Sequence, residues 1–225
     1  WQRAPATALG RLPCHPRSDR ILARSSEPPA RPDRVQTGRR KLEYYSALSV
    51  TSFMFETERL IIEKITPAEL PWLIELRSVP AVYRYMGGIK MQNAEALTAR
   101  LPFYLECHEK YGFGFSIMTL KSTGERIGTS GLQPLEDTGE IEVGYNLAEK
   151  HWRQGYGYEC ASAWIKYGFE TAGLERIVAV ADPANTGSWR IMEKCGMKYE
   201  GTLKHYGMNC VQYAISQSEF FGSKA

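Results

Sequence analysis

The 225-residue chain lacks any apolar run approaching the roughly 20 residues that a bilayer-spanning helix needs, so no membrane partner is expected. It also lacks paired cysteines. The five present (Cys14, Cys107, Cys160, Cys195, Cys210) are scattered, odd in number and never spaced as C-x-x-C. That argues against a disulfide framework and a zinc site, and for a reducing compartment, the cytoplasm. No metal is expected. No internal repeat is visible.

A strong basic balance is missing too, once the chain is divided. Residues 1–53 carry ten Lys and Arg against four Asp and Glu, a charge of +6, whereas residues 54–225 carry eighteen against twenty-one, a charge of −3. The patterned part is therefore mildly acidic, which speaks against a nucleic-acid surface and leans toward a cationic partner. Six of the twelve prolines fall in residues 1–53, with scattered Arg and no sustained apolar period. Such a segment cannot bury enough surface to offset its ordering entropy. The first methionine is Met54, immediately ahead of FETERLIIEKI, where regular patterning begins. The expectation is a disordered or non-native tail over 1–53 and one domain over 54–225.

What is present centres on residues 140–169. Ile141, Val143, Tyr145 and Leu147 alternate with Glu140, Glu142, Gly144 and Asn146, the period of a strand. Beyond Gly157, the residues Ala161, Trp164, Ile165, Gly168, Phe169 and Ala172 recur on one helical face. Between them lies Trp152-Arg153-Gln154-Gly155-Tyr156-Gly157. Two glycines permit a tight turn and close approach, and the unpaired N–H groups at the following helix start form a site for phosphate or pyrophosphate. A turn that only turns is the plain alternative.

Around this centre the pattern predicts strands over 59–65, 113–121 and 126–133, the last with Gly128 and Gly131 marking a bulge or a close approach. Thr66-Pro67-Ala68-Glu69 reads as a helix start, with Leu70, Leu73, Ile74 and Arg77 continuing it. A second helical region over 93–111 is expected to kink or divide at Pro102. Gly173 is read as the stop of the long helix. A strand over 176–181, parallel to 140–147, a helix over 188–195 and an antiparallel pair over 197–203 and 210–216 complete the chain. The sum is an α/β or α+β fold, a mixed and mostly antiparallel sheet with helices on both faces.

Three stretches now carry a resemblance. They are Glu142-Val143-Gly144-Tyr145-Asn146-Leu147, then Trp152 through Glu159, then Asn185-x-x-Ser188-x-x-Ile191-Met192-Glu193-Lys194-Cys195-Gly196-Met197 with Glu200-Gly201. With Glu56-Thr57-Glu58-Arg59-Leu60, they resemble a GCN5-related N-acetyltransferase (GNAT), and more narrowly the RimJ/RimL-like branch. The likeness runs in order through 54–225. It implies a sheet whose parallel pair splays apart, with acetyl-CoA as co-substrate in the opening. It implies coenzyme contacts from Tyr145, Asn146, Leu147, Arg153, Gln154, Gly155, Tyr156, Gly157, Tyr158, Asn185 and Ser188.

The chemistry implied is attack of a primary amine, on a protein N-terminus or a small molecule, directly on the thioester. A lysine-like amine is protonated at neutral pH, so a base must take its proton. Glu142 is the first candidate, Glu140 on the same face the second and His151 the third. A solvated strand face is the plain reading of both glutamates. Backbone N–H groups near Tyr145 or Asn146 would meet the oxyanion, and Ser188 would protonate the departing sulfur. Asp182, Asn185 and Ser188 are equally readable as helix N-caps. Two departures stand out. Met192 occupies the position where the wider family places a tyrosine, and Asn209 replaces an Asp usual four residues before Tyr213. They keep open an alternative, a catalytically weak acyl-CoA-binding module of the same fold. A dinucleotide enzyme is disfavoured, because Cys160 stands where a third glycine would be needed. The acceptor is not written in the pattern, and a homodimer is left open.

Overall fold

The computed structural model describes residues 52–136 and 138–222. The expected tail therefore lies outside the described residues but for its last two. Strand β1 spans Phe53–Glu56 and β2 Leu60–Lys64. A helical layer follows: α1 (Leu70–Ser78), the short α2 (Pro80–Tyr83) and α3 (Ile89–Gln92), and α4 (Ala94–Tyr111). Then come β3 (Ser116–Leu120), β4 (Arg126–Pro134), β5 (Ile141–Leu147) and α5 (Tyr156–Glu170). The chain continues through β6 (Arg176–Ala181), α6 (Thr186–Lys194), β7 (Lys198–His205), β8 (Met208–Ser216) and α7 (Gln217–Gly222). The strands form one eight-stranded sheet in the order β1-β2-β3-β4-β5-β6-β8-β7, antiparallel except for β5 and β6.

Alternation along β3 shows how the two layers arise. Ile117 joins the cluster of Leu97, Leu101 and Tyr104 from α4, whereas Met118 joins that of Trp164 and Ile165 from α5. Successive side chains of a strand point to opposite faces, so α1 and α4 cover one face and α5 the other. Trp164 is fully buried, and its indole N–H donates to Ser130 Oγ at 3.0 Å, which satisfies the one polar atom it takes into the core.

The local signals account for most element ends. Thr66 caps a 3-10 turn at Pro67–Glu69, and Glu69 returns the bond to the Thr66 amide at 2.9 Å, a capping box. Asn93 caps α4 by accepting from the Ala96 amide at 2.9 Å.

Several expectations need correction. β1 was not anticipated; its four residues follow too short a period to stand out, and they pair only because β2 offers an edge. Pairing starts at Phe53, one residue ahead of the expected boundary. Pro102 does not divide α4, because Leu97, Leu101 and Tyr104 bury one face of the helix on both sides of it. Gly173 does not close α5: the helix ends at Glu170 with Thr171 as C-cap, and Gly173 takes its positive φ (66°) two residues later. The helix expected from Ser188 begins at Thr186 behind the cap Asn185. The terminal α7 was missed, since six residues carry no readable period.

Gly128 and Gly131 satisfy both readings offered for them. The β3–β4 register shifts between Met118 and Thr119, where Met118 pairs with Gly128 and Thr119 with Arg126. A Cβ on Gly131 would lie 2.2 Å from the Gly114 carbonyl oxygen, and one on Gly128 2.2 Å from that of Asn146. Backbone cannot yield as a side-chain tip does. Gly131→Ala should therefore destabilise the fold by about 2 kcal/mol or more, read as a lower denaturant midpoint at unchanged slope.

Candidate active site

β5 and β6 are paired at a single position, Glu142 against Val178. Beyond it the two parallel strands part, while β5 stays fully paired to β4 and β6 to β8. The gap opens toward the C-terminal ends of both strands, and each of those ends leads into a helix N-terminus, α5 after β5 and α6 after β6. A crevice outside the carboxyl ends of strands, flanked by helix starts, is where anionic ligands are commonly held.

The turn before α5 is built for such a ligand. Arg153 (φ 60°) and Gly155 (φ 85°) take left-handed conformations, and Gly155 is the helix N-cap without a side chain to fill the cap. Glu159 is the first helical residue whose amide is bonded, to the Gly155 carbonyl at 3.0 Å. Among the described residues, no amide from Arg153 to Tyr158 donates to a protein acceptor. Gly157 also has a packing role: a Cβ there would sit 2.8 Å from Ile191 Cδ1, so this glycine lets α5 close on α6.

Arg59 fastens the turn from outside. Its guanidinium donates to the Gln154 carbonyl (3.0 Å), pairs with Glu159 (2.7 Å) and lies 4.3 Å from the Tyr156 ring centre. Glu159 also accepts from Thr57 Oγ1 (2.5 Å) and the Arg59 amide (2.8 Å). These contacts, with burial opposing them, hold the Glu159 carboxyl below its ordinary pKa. The Thr57-Glu58-Arg59 stretch and the turn 152–159 are thus two halves of one clamp.

A cleft of roughly 380 Å³ lies along β5, and Glu142, Tyr145, Asn146, Asn185 and Ser188 all line it. Leu147 and residues 153–158 do not. Leu147 packs into the core, with its carbonyl accepting from the Trp152 indole at 2.9 Å. Glu140 is not in the cleft either, but paired to Arg176 at 2.8 Å, and His151 faces Glu125 at 3.3 Å.

Glu142 is 6% exposed, not on a solvated face. Its Oε1 accepts from Gln133 Nε2 at 2.5 Å and from the Tyr206 hydroxyl. Burial raises its pKa above the ordinary carboxylate value, and the bonds from Tyr206 and Gln133 work against that rise. Gln133 Oε1 is buried without a partner among the described residues. Tyr206 occupies the two-residue turn between β7 and β8 with φ 53°, followed by Gly207 at 72°, the pattern of a type I′ hairpin. An aromatic residue is strained there, and its hydroxyl reaches across to β5.

On α6 the cap and the ligand readings meet. Asn185 Oδ1 accepts from the Ser188 amide at 3.3 Å, so the cap is real, while both residues still line the cleft. Ser188 Oγ is 3.2 Å from the Tyr145 hydroxyl, which donates to the Ser188 carbonyl at 2.9 Å. Burial pushes the Tyr145 phenol well above its usual pKa, so it stays protonated. Met192, where a tyrosine was expected by resemblance, is buried.

Sequence reasoning missed Tyr206, Gln133 and the role of Arg77. Arg77 is 1% exposed at the Asn146 end of the cleft, donating to Asn146 Oδ1 (3.1 Å), Gln92 Oε1 (2.8 Å) and Thr129 Oγ1 (3.2 Å). A usable signal existed: an arginine continuing the stripe of Leu70, Leu73 and Ile74 has to be buried with that stripe. Tyr206 gave none, because its partner is 64 residues away.

Residues 59–198 match the family described as acetyltransferase (GNAT) domain. The uncharacterized N-acetyltransferase YoaA of Bacillus subtilis (strain 168) is 34% identical over 155 residues, covering 68% of this chain and 87% of that protein. An acetyltransferase structure from Agrobacterium tumefaciens str. C58 is 26% identical, with a TM-score of 0.65 over 75% of this chain and 96% of its own. The aminoglycoside acetyltransferase AAC(6')-Ib in complex with coenzyme A shares the fold at 17% identity, with a TM-score of 0.62 over 74% of this chain and 99% of its own.

Because the folded-state pKa of Glu142 is raised, its contribution to stability is full at low pH and is lost as pH rises through that pKa. Tyr206→Phe removes a bond that favours the carboxylate, so Glu142 should titrate still higher. Carboxyl NMR titration of the two proteins checks this; an equal or lower midpoint in the variant contradicts it.

Proposed function

The chain belongs to the GNAT acetyltransferase family, and from that premise we propose that it moves an acetyl group from acetyl-CoA to a primary amine with Glu142 as the base. It is an acyltransferase; the donor, the acceptor and the residue roles are our reading. The observation that carries it is the buried Glu142 carboxylate at the one point where β5 and β6 still touch, beside the opening between them.

In this reading the coenzyme diphosphate takes the unpaired amides of residues 153–158 and the field of the α5 N-terminus. Arg59 holds that turn in shape. The thioester arm enters between β5 and β6. An ammonium acceptor in the cleft gives a proton to Glu142, directly or through water, and the Gln133 carbonyl oxygen accepts from the amine. The amine nitrogen forms a bond to the acetyl carbon. Backbone N–H groups of β5 left without a β6 partner near Tyr145 and Asn146 receive the oxyanion. The carbon–sulfur bond then breaks, and the thiolate takes the proton of Ser188, which lies 3.2 Å from the Tyr145 hydroxyl; the second proton of the former amine nitrogen passes through water to restore the Ser188 hydroxyl.

The motifs at 56–60 and 185–201 support placement with the RimJ/RimL-like branch, and the volume of the cleft suits a small amine or a chain terminus. Cys107, Cys160, Cys195 and Cys210 are free thiols, which supports a reducing, cytoplasmic setting.

The test is coenzyme A release with a panel of amines. Glu142→Gln should lower kcat by about 10²–10⁴-fold while acetyl-CoA affinity stays level by calorimetry. Wild-type turnover in the variant would move the base elsewhere. Activity should rise with pH through the elevated Glu142 titration, since only the carboxylate can take the proton. Gly155→Asp places a carboxylate beside the free amides, at a left-handed position that Asp tolerates better than most residues. It should weaken acetyl-CoA binding about tenfold or more; unchanged affinity would remove the diphosphate from this turn.

A further inference from the structure

The cleft is electrically divided along its length. Among its lining residues, Glu136 lies near Glu142, and Arg100 lies near Arg77, which is bonded to Asn146. Glu142 and Asn146 lie on the same face of β5, so the two ends are separated by about 14 Å at the usual strand rise. Tyr104, Phe103 and Phe115 add aromatic surface to the same cleft.

Arg77 is an unusual residue to bury. It donates to Asn146, Gln92 and Thr129 and meets the Tyr104 hydroxyl, and it forms no ion pair with a carboxylate among the described residues. Desolvation lowers its pKa, and the nearby Arg100 charge pushes in the same direction. Arg100, half-buried on α4, likewise has no carboxylate partner among the described residues. A guanidinium stays charged in proteins and is costly to bury without an anion. Here two of them face one cavity. Asn146, Gln92 and Thr129 each accept from one nitrogen of Arg77, so its guanidinium is held in place before any ligand arrives, with one N–H on each terminal nitrogen left over and the half-buried Arg100 beside it.

We propose that Arg77 and Arg100 form a carboxylate-binding end of the acceptor cleft, so that the molecule acetylated at its amine also carries a carboxylate several bonds away. ω-Amino acids, the side-chain amine of lysine-like amino acids and short peptides have that chemistry. An α-amino acid acetylated at its α-amine does not, because its two groups are too close to reach both ends. The proposal rests on Glu142 marking the amine end. It adds to that reading a substrate class: an amine held at one pole and an oxyanion at the other, with apolar chain against the aromatic wall.

The experiment uses the full chain saturated with coenzyme A for binding and with acetyl-CoA for turnover. 6-Aminohexanoate is compared with hexylamine, in which a methyl group replaces the carboxylate, and with O-phosphoethanolamine. 6-Aminohexanoate should bind about tenfold more tightly than hexylamine and be used with a correspondingly higher kcat/KM. Arg100→Gln, a half-buried site whose replacement leaves the core intact, should shrink that ratio to about twofold or less. Equal binding of the two probes, a ratio unchanged in Arg100→Gln, or a preference for O-phosphoethanolamine overturns the proposal. The two readings fail separately. A carboxylate preference in binding with no coenzyme A released sinks the transfer reaction and keeps the anion end; acetylation of hexylamine as fast as of 6-aminohexanoate does the reverse.

Discussion

The molecule depends on one incomplete strand pairing. A parallel pair inside a sheet ordinarily runs the length of its strands, because unpaired backbone groups away from water are costly. Here β5 and β6 meet only at Glu142 and Val178. Everything of functional interest follows from what fills the space beyond that contact: the free edge of β5, the two helix starts and a cavity closed on one side by α1 and α4. The sheet tolerates the opening because β4 and β8 hold the outer edges of β5 and β6 along their full lengths.

A second constraint keeps the opening in shape. Glu159, in the first turn of α5, gathers Thr57 and Arg59 from the start of the domain, roughly a hundred residues earlier. The pair is partly exposed, so its ionic component is modest. Its value is geometric: three donors on one carboxylate fix where α5 begins and leave Arg59 free to reach the Gln154 carbonyl and the Tyr156 ring. Two motifs that look unrelated in the sequence are contact partners.

The third element is the set of charges taken out of water on one face of β5. Glu142 is buried with hydrogen bonds from Tyr206 and Gln133, and Arg77 with neutral acceptors. Neither compensates the other directly. Stability alone would favour apolar residues in both places. Their retention in the walls of one cavity is the physical reason to read that cavity as a place where charge is transferred and recognised.

Local patterns in the sequence were enough for the order of strands and helices, the parallel relation of β5 and β6, the capping box at Thr66 and the free amides after Gly155. Each depends on neighbours within a few residues, through side-chain period, turn chemistry and unsatisfied helix ends. The face of β5 that carries Glu142 was legible too, because alternation is local. Whether that face was wet or dry was not, since its cover comes from α1, α4 and the β7–β8 turn. β1 and α7 escaped because elements of four and six residues have no period to read, and the packing role of Gly157 was hidden because Ile191 lies in another helix. The sequence by itself determined the longer strands and helices, from β2 to β8, and the chemistry available to them. Only the tertiary structure decided that Glu140 would be tied to Arg176 while Glu142 stayed in the cleft, that Tyr206 would reach it, and that Arg77 would be buried without an anion, because those outcomes are set by packing between residues far apart in the chain.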